Sequence, residues 1–367
     1  MGPIVRRRSV EFHQRRRYRV RVGIGCRSLN LPTDKDVSQT CEWSECEWLH
    51  RHRDGLVAQT PQGCGVFFVP SNPTDLALWP YTTTAHILLA MVREELTAAI
   101  AAAREAGSLI LQYYGGNYDV RNKSSDAAQG KLTGDALRSA DYDPVTSADE
   151  AADAHLGDAL RSAFPQHGWL SEETADSPER LSAPSVWIVD PIDGTKEFLE
   201  GIPEFAVSIA LVENGEPTVA ALYNPAADEM YSAVKGGGTF LNGQRVFCSE
   251  EQQLSEASLI VSRSEKARGE VDALEPSLKQ VRPVGSAAYK LAVVAAGGAD
   301  LNVSVQPKNE WDVCGGDLLV REAGGHMVDL EGQVRQYNQA DPLINGGLAA
   351  GNQRLTSAIL DVVRRTR

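Results

Sequence analysis

The feature that most constrains this chain is the stretch WIVDPIDGTKEF at residues 187–198. Trp187-Ile188-Val189 reads as a buried strand, and it stops abruptly at Asp190. Pro191 removes a backbone donor and stiffens the turn that follows. Asp193-Gly194-Thr195 comes next, ahead of a helix-like Lys-Glu-Phe-Leu-Glu. Sites in α/β sheets commonly sit where a strand ends in this way. Asp190 and Asp193 are expected to project into one space, with the Ile192 carbonyl turned toward it. Two carboxylates and a carbonyl form a hard oxygen site suited to Mg²⁺. Gly194 admits close backbone approach, and Thr195 opens a helix whose N-terminus favours an anion such as phosphate. Taken alone, Asp-Gly-Thr is also an ordinary turn tripeptide.

The rest of the chain divides near Met91. Residues 1–90 hold 12 Lys/Arg and 8 Asp/Glu, a net +4, against a total of −13, so residues 91–367 carry −17. This basic segment lacks a sustained hydrophobic period and is expected to be a disordered or artefactual extension. Its Arg-rich start fits a transit peptide, but acids occur from Glu11 onward. Four of the six cysteines lie there, with Cys41 and Cys46 the one near pair, which is not the paired spacing of a zinc site. Two cysteines in the remaining residues suggest a reducing, cytoplasmic setting. No apolar run reaches membrane-spanning length. The net negative charge argues against a nucleic-acid polymer as partner.

Beyond Met91, Leu96, Ile100, Ala103, Gly107, Ile110 and Tyr114 recur at helical spacing. Residues 117–143 read as a loop or flap. Ala152, Leu156, Leu160 and Phe164 predict a second helix, begun by the capping pattern Thr146-Ser147-Ala148-Asp149. Strand-like runs follow at 186–189, 205–212 and 218–223, then a hairpin over 230–241 around Gly236-Gly237-Gly238. Helices are expected in GSAAYKLAVVAAGGAD and in WDVCGGDLLVREAGG, with a strand in LNVSVQ between them. Strands and helices alternate without strict βαβ regularity, which implies a layered α/β or α+β domain over 91–367.

Three more acidic segments bear on the site. Asp149 falls in the first turn of the second helix, Glu172 belongs to Ser-Glu-Glu-Thr, and Asp312 follows Trp311 at a helix start. Read singly, each is a helix-terminal carboxylate. Gathered with Asp190 and Asp193, the five would repel unless cations lay between them.

With these motifs in order, the sequence closely resembles the inositol monophosphatase family of Mg²⁺-dependent, lithium-sensitive phosphatases. The resemblance covers roughly residues 93–360. It implies an αβαβα sandwich, a homodimer, and two or three Mg²⁺ ions that activate a water. It also implies that Glu172, Asp190 and the Ile192 carbonyl hold one metal, and that Asp190, Asp193 and Asp312 hold a second. Thr195 and Asp149 would position and deprotonate the attacking water. The backbone at Gly194-Thr195 would grip the phosphate. Lys-Glu-Phe after Asp-Gly-Thr looks like the 3'(2'),5'-bisphosphate nucleotidase branch, which acts on 3'-phosphoadenosine 5'-phosphate. Ser262, Ser286, Lys290 and Asp312 would then contact the nucleotide, with Lys290 on its second phosphate. Glu265 stands where that branch often has His, a departure unfavourable beside a phosphate. Inositol 1-phosphate, or another sugar or histidinol phosphate, is the alternative substrate.

Overall fold

The computed structural model describes residues 10–14, 16–20, 48–52, 55–59, 66–70, 93–116, 119–122, 125–128 and 144–366. The chain separates into two units, Met1–Trp79 and Pro80–Arg367. In the first, Val10–Gln14 pairs antiparallel with Arg16–Val20, and Trp48–His52, Gly55–Gln59 and Val66–Pro70 form an antiparallel sheet.

The second unit is built on a seven-stranded sheet. Its order is Gln244–Val246, Gly238–Leu241, Glu229–Val234, Glu216–Asn224, Ala206–Glu213, Ser185–Asp193 and Gly168–Ser171. All neighbours are antiparallel except the last two strands, which run parallel. Side chains alternate across a pleated strand, and here both faces are covered. Trp187 and Val189 pack with helices α1 (Glu94–Tyr113) and α2 (Ser147–Ala163). Val186 and Ile188 face the opposite way and share a core with two later helices, introduced below. This explains why the 186–189 run is apolar without alternation.

The face α1 buries is narrower than its largest residues predict. Ala99, Ala102, Ala103, Ala106 and Ile110 are buried, while Leu96 and Ile100 are half-buried. The reason is distance. A Cβ on Gly107 would lie 2.6 Å from a ring carbon of Tyr223, so the helix rests on the sheet through small residues. α2 begins with the expected capping box and buries Ala152, Leu156 and Leu160. Residues 120–122 and 125–128 are strands, not loop: Val120–Asn122 pairs with Ser125–Ala128 and with Pro144–Thr146. Residues 129–143 lie outside the described residues.

Short helices α3 (Thr195–Glu200) and α4 (Arg263–Ala267) precede α5 (Ala287–Ala295) and α6 (Glu310–Glu322). α5 and α6 form the middle layer: Leu291 and Val294 of one and Val313, Leu318 and Leu319 of the other join the first sheet to the second. The second sheet has the order Gln280–Pro283, Ser258–Val261, Leu301–Ser304, Leu348–Gly351 and His326–Val328. Its far face packs on α7 (Gln353–Thr366) through Leu355, Ile359 and Val363. The layers are thus helix, sheet, helix, sheet, helix, the αβαβα sandwich that the resemblance implies. Among the described residues, no helix is long and apolar enough to cross a membrane.

Candidate active site

The acids converge because one strand breaks register. Val189 pairs with Ile209 and Asp190 with Ser208, but the next pair is Asp193 with Ala206. Pro191 and Ile192 therefore bulge out of the ladder, and a bulge re-aims the side chains around it. One oxygen each from Asp190, Asp193 and Asp312 lies within 4.8 Å of the others. Asp312 arrives from α6, where its Oδ2 accepts the Asn309 N–H at 2.7 Å and caps the helix. Glu172 arrives from the neighbouring strand: its N–H donates to the Val189 carbonyl at 3.2 Å, and its carboxyl lies against Asp190.

Charge crowding dominates the electrostatics. Asp190 is buried, and among the described residues no donor reaches its Oδ1. Burial, then the charges of Glu172, Asp193 and Asp312, hold its carboxyl far above the ordinary value. Burial also raises Asp193, against the Ser286 hydroxyl, the Lys290 charge and the Ala288 N–H, which favour its ionised form. Asp312 is pushed up to about 8, by burial first and then by Asp193 and Glu172. Three enclosed carboxylate oxygens without counter-charge between them are the donor set of a divalent cation.

Beside this cluster sits a hydroxyl–carboxylate pair. Thr195 Oγ1 is 3.2 Å from Asp149 Oδ1 and 3.1 Å from the Ile192 carbonyl, and its one proton serves one of them at a time. Asp149 is buried, and its Oδ2 accepts the Thr146 N–H at 2.7 Å and the Thr146 hydroxyl at 2.5 Å. One oxygen caps the helix and the other faces the Thr195 hydroxyl. Gly194 joins the bulge to α3 at φ 98°, and a Cβ there would lie 3.0 Å from the Glu204 carbonyl oxygen. Only glycine meets both demands.

The four residues expected to contact a nucleotide are placed differently from one another. Asp312 belongs to the cluster. Ser262 caps α4, accepting the Glu265 N–H at 3.1 Å. Ser286 donates to Asp193 Oδ2 at 2.5 Å and accepts the Tyr289 N–H at 2.9 Å. Lys290 is buried, and its Nζ donates to the Ser286 carbonyl at 2.6 Å. Its ammonium is enclosed, disfavoured by burial and supported by Asp193, Glu265 and Glu197. It serves the back of the acidic cluster.

Glu265 corrects another expectation. It does not face a substrate phosphate: it is buried, and its Oε1 accepts from the Ser304 hydroxyl at 2.8 Å and the Val305 and Gln306 N–H groups at 2.7 and 3.1 Å. It ties α4 to residues 304–306, at the end of the strand Leu301–Ser304.

Sequence reasoning also missed residues behind the cluster. Glu197, read only as part of a family signature, is pushed up to about 7 by burial, with Lys290 opposing. Glu310, two residues before Asp312, is pushed up to about 7 by burial while accepting the Asn338 and Gln339 N–H groups. Asp153 stands four residues after Asp149, a helical repeat that could have marked it.

The residues compared with known proteins give a consistent answer. A sequence model described as the inositol monophosphatase family matches residues 91–366. The inositol-1-monophosphatase of Rhizobium meliloti is 37% identical over 233 residues, covering 62% of this chain and 84% of that one. Nus factor SuhB of Escherichia coli is 35% identical over 278 residues, covering 73% and 95%. Among solved structures, the suppressor protein SuhB of Bartonella henselae aligns with a TM-score of 0.61 at 30% identity, covering 74% of this chain and 98% of that one. The inositol monophosphatase of Anabaena aligns at 0.59 and 27% identity, covering 74% and 95%.

Proposed function

This chain belongs to the inositol monophosphatase family of phosphatases, and from that premise we propose that it is a Mg²⁺-dependent phosphomonoesterase acting on a small polyol phosphate such as inositol 1-phosphate. The observation that carries the reading is the convergence of Asp190, Asp193 and Asp312 beside the Thr195–Asp149 pair. The residues present fit a hard divalent cation: all donors are oxygen, and the buried Asp190 Oδ1 has no donor among the described residues. Glu172, Asp190, the Ile192 carbonyl, Asp193 and Asp312 would hold two or more ions. Bound there, the metal supplies the positive charge that keeps these carboxylates ionised and stabilises charge developing on phosphate and water.

The chain's own part is positioning and proton transfer. Asp149 Oδ1 orients the Thr195 hydroxyl. As water attacks phosphorus, Thr195 Oγ1 accepts a water proton and passes its own to Asp149 Oδ1. The phosphorus–ester bond breaks, and the leaving alkoxide takes up a proton from solvent. The backbone N–H groups at Gly194 and Thr195, where a left-handed Gly194 opens α3, would grip the phosphate oxygens.

The substrate class is supported by what Lys290 does: buried and spent on Ser286, it is a poor reader of a second phosphate. One observation favours the bisphosphonucleotide instead. Lys308, in the short strand Lys308–Asn309 before α6, has an ammonium that among the described residues bonds only the Gln306 and Pro307 carbonyls, at 3.4 and 3.1 Å, and it acts electrostatically on Asp312. The family resemblance adds a homodimer to this reading, and the buried free Cys248 and Cys314 suit a reducing compartment. Phosphate release with Mg²⁺ from inositol 1-phosphate and from 3'-phosphoadenosine 5'-phosphate, at equal concentration, tests it. A higher kcat/KM for the nucleotide would overturn the polyol assignment, and no release from either would overturn the enzyme.

A further inference from the structure

Resting on the metal-binding reading above, we infer that Asp153 is a positioning residue that staples the Glu172 loop onto the acidic cluster. Asp153 lies on α2, one turn beyond Asp149 and on the same face. Its two carboxylate oxygens receive two hydroxyls: Ser171 donates to Oδ1, and Thr174 donates to Oδ2 at 2.6 Å. Ser171 is buried and Thr174 is half-buried. Between those two hydroxyls stand Glu172 and Glu173.

The location gives the bonds their purpose. Ser171 ends the edge strand Gly168–Ser171, and the Glu172 N–H makes the last bond to the neighbouring strand, to Val189. Beyond that rung the ladder no longer dictates where the chain goes. The Glu172 carboxyl also shares an enclosed space with Asp190 and acts on Asp312. With these acids ionised and no cation between them, repulsion would push such a loop outward. Hydrogen bonds from hydroxyls to an ionised carboxylate are among the stronger kind, and two of them on a rigid helix hold the loop inward. α2 thereby fixes two parts of the site at once: Asp149 orients Thr195, and Asp153 orients Glu172. Loss of a group that supports ligand residues in this way typically costs about 10–100-fold in metal affinity or activity.

The test is Mn²⁺ binding to the full chain without substrate, followed by electron paramagnetic resonance of the free ion, on wild type, Asp153→Ala, Asp153→Asn and Thr174→Val, with Asp193→Asn as control. Asp153→Ala and Thr174→Val are expected to weaken Mn²⁺ binding about 10-fold. Asp153→Asn accepts one hydroxyl and donates to the other, so it is expected to stay within about 3-fold of wild type. In turnover, the Mg²⁺ concentration for half-maximal rate rises about 10-fold in Asp153→Ala while kcat at saturating Mg²⁺ stays within about 3-fold. Should Asp153→Ala fail to fold, Thr174→Val, which lies outside the helix, carries the test. Wild-type Mn²⁺ affinity in these variants overturns the staple and leaves the proposed function standing. Wild type without Asp193-dependent Mn²⁺ binding overturns both.

Discussion

Replacing Asp312 with Asn asks whether the crowded carboxylates cost the metal-free chain stability. Burial, then Asp193 and Glu172, push the Asp312 carboxyl from 3.8 up to about 8. At pH 7 the folded chain therefore keeps a proton that the unfolded chain has released. Stability from this group is complete below the unfolded value of 3.8 and drains away as pH rises toward about 8. Each pH unit of that rise is worth about 1.4 kcal/mol, so full enclosure would cost about 6 kcal/mol at pH 8. Asp312 keeps part of its surface open to water, and its neighbours share the proton, which scales the cost to about 1–3 kcal/mol. Asn has no such cost and still offers an oxygen to the Asn309 N–H. In chelator at pH 8, Asp312→Asn should melt about 3–6 °C above wild type. At pH 5 the difference should fall below half of that, because only the first part of the drain has occurred. Saturating Mg²⁺ should reverse the order, since wild type gains more from a bound cation. Calorimetry across the two pH values reads all three. A metal-free variant no more stable than wild type at pH 8 would refute the crowding argument.

Four other outcomes follow from the geometry. Asp193→Asn should reduce turnover at least about 1,000-fold with far-UV circular dichroism unchanged, and near-normal activity would remove Asp193 from the mechanism. Asp149→Asn disturbs the partner of the Thr195 hydroxyl and should lower kcat about 10²–10⁴-fold while Mn²⁺ binding persists, as rate and resonance measurements would show. Gly194→Ala forces a Cβ into φ 98° and within 3.0 Å of the Glu204 carbonyl; urea unfolding should report a loss of about 2–4 kcal/mol. Glu265→Ala strands the Ser304 hydroxyl and the Val305 and Gln306 N–H groups, a loss of about 3 kcal/mol by the same assay. Glu265→Gln should recover most of that loss, and a full loss in Gln would mean the charge matters more than the acceptor.

The site acids were legible because each sits where a local pattern ends: an apolar run at Asp190, a capping box at Asp149, a helix start at Asp312. For Asp149, a cap and a proposed site role do not exclude each other. A carboxylate has two oxygens, and Asp149 gives one to Thr146 and the other to Thr195. What was illegible depends on distant elements. Lys290 looks like a solvated helix lysine until Asp193, nearly a hundred residues earlier, and Glu197 are seen to enclose it. Glu265 looks like a charge beside the substrate until the turn at 304–306 closes over it. The buried stripe of α1 eluded a pattern weighted to large side chains, because a helix that lies close to a sheet must be faced with alanine and glycine. The contrast has one physical root. Local hydrogen bonding and periodicity are written in neighbouring residues, whereas the balance of buried charge is a property of the assembled layers. That balance is also where the function lies. Asp190, Asp193 and Asp312 oppose folding as they stand, and Ser286, Lys290 and the Ala288 N–H relieve Asp193 only in part. On the proposed reading, a chain that keeps such a cluster at the junction of its first sheet and middle helices gains from it when a cation completes it.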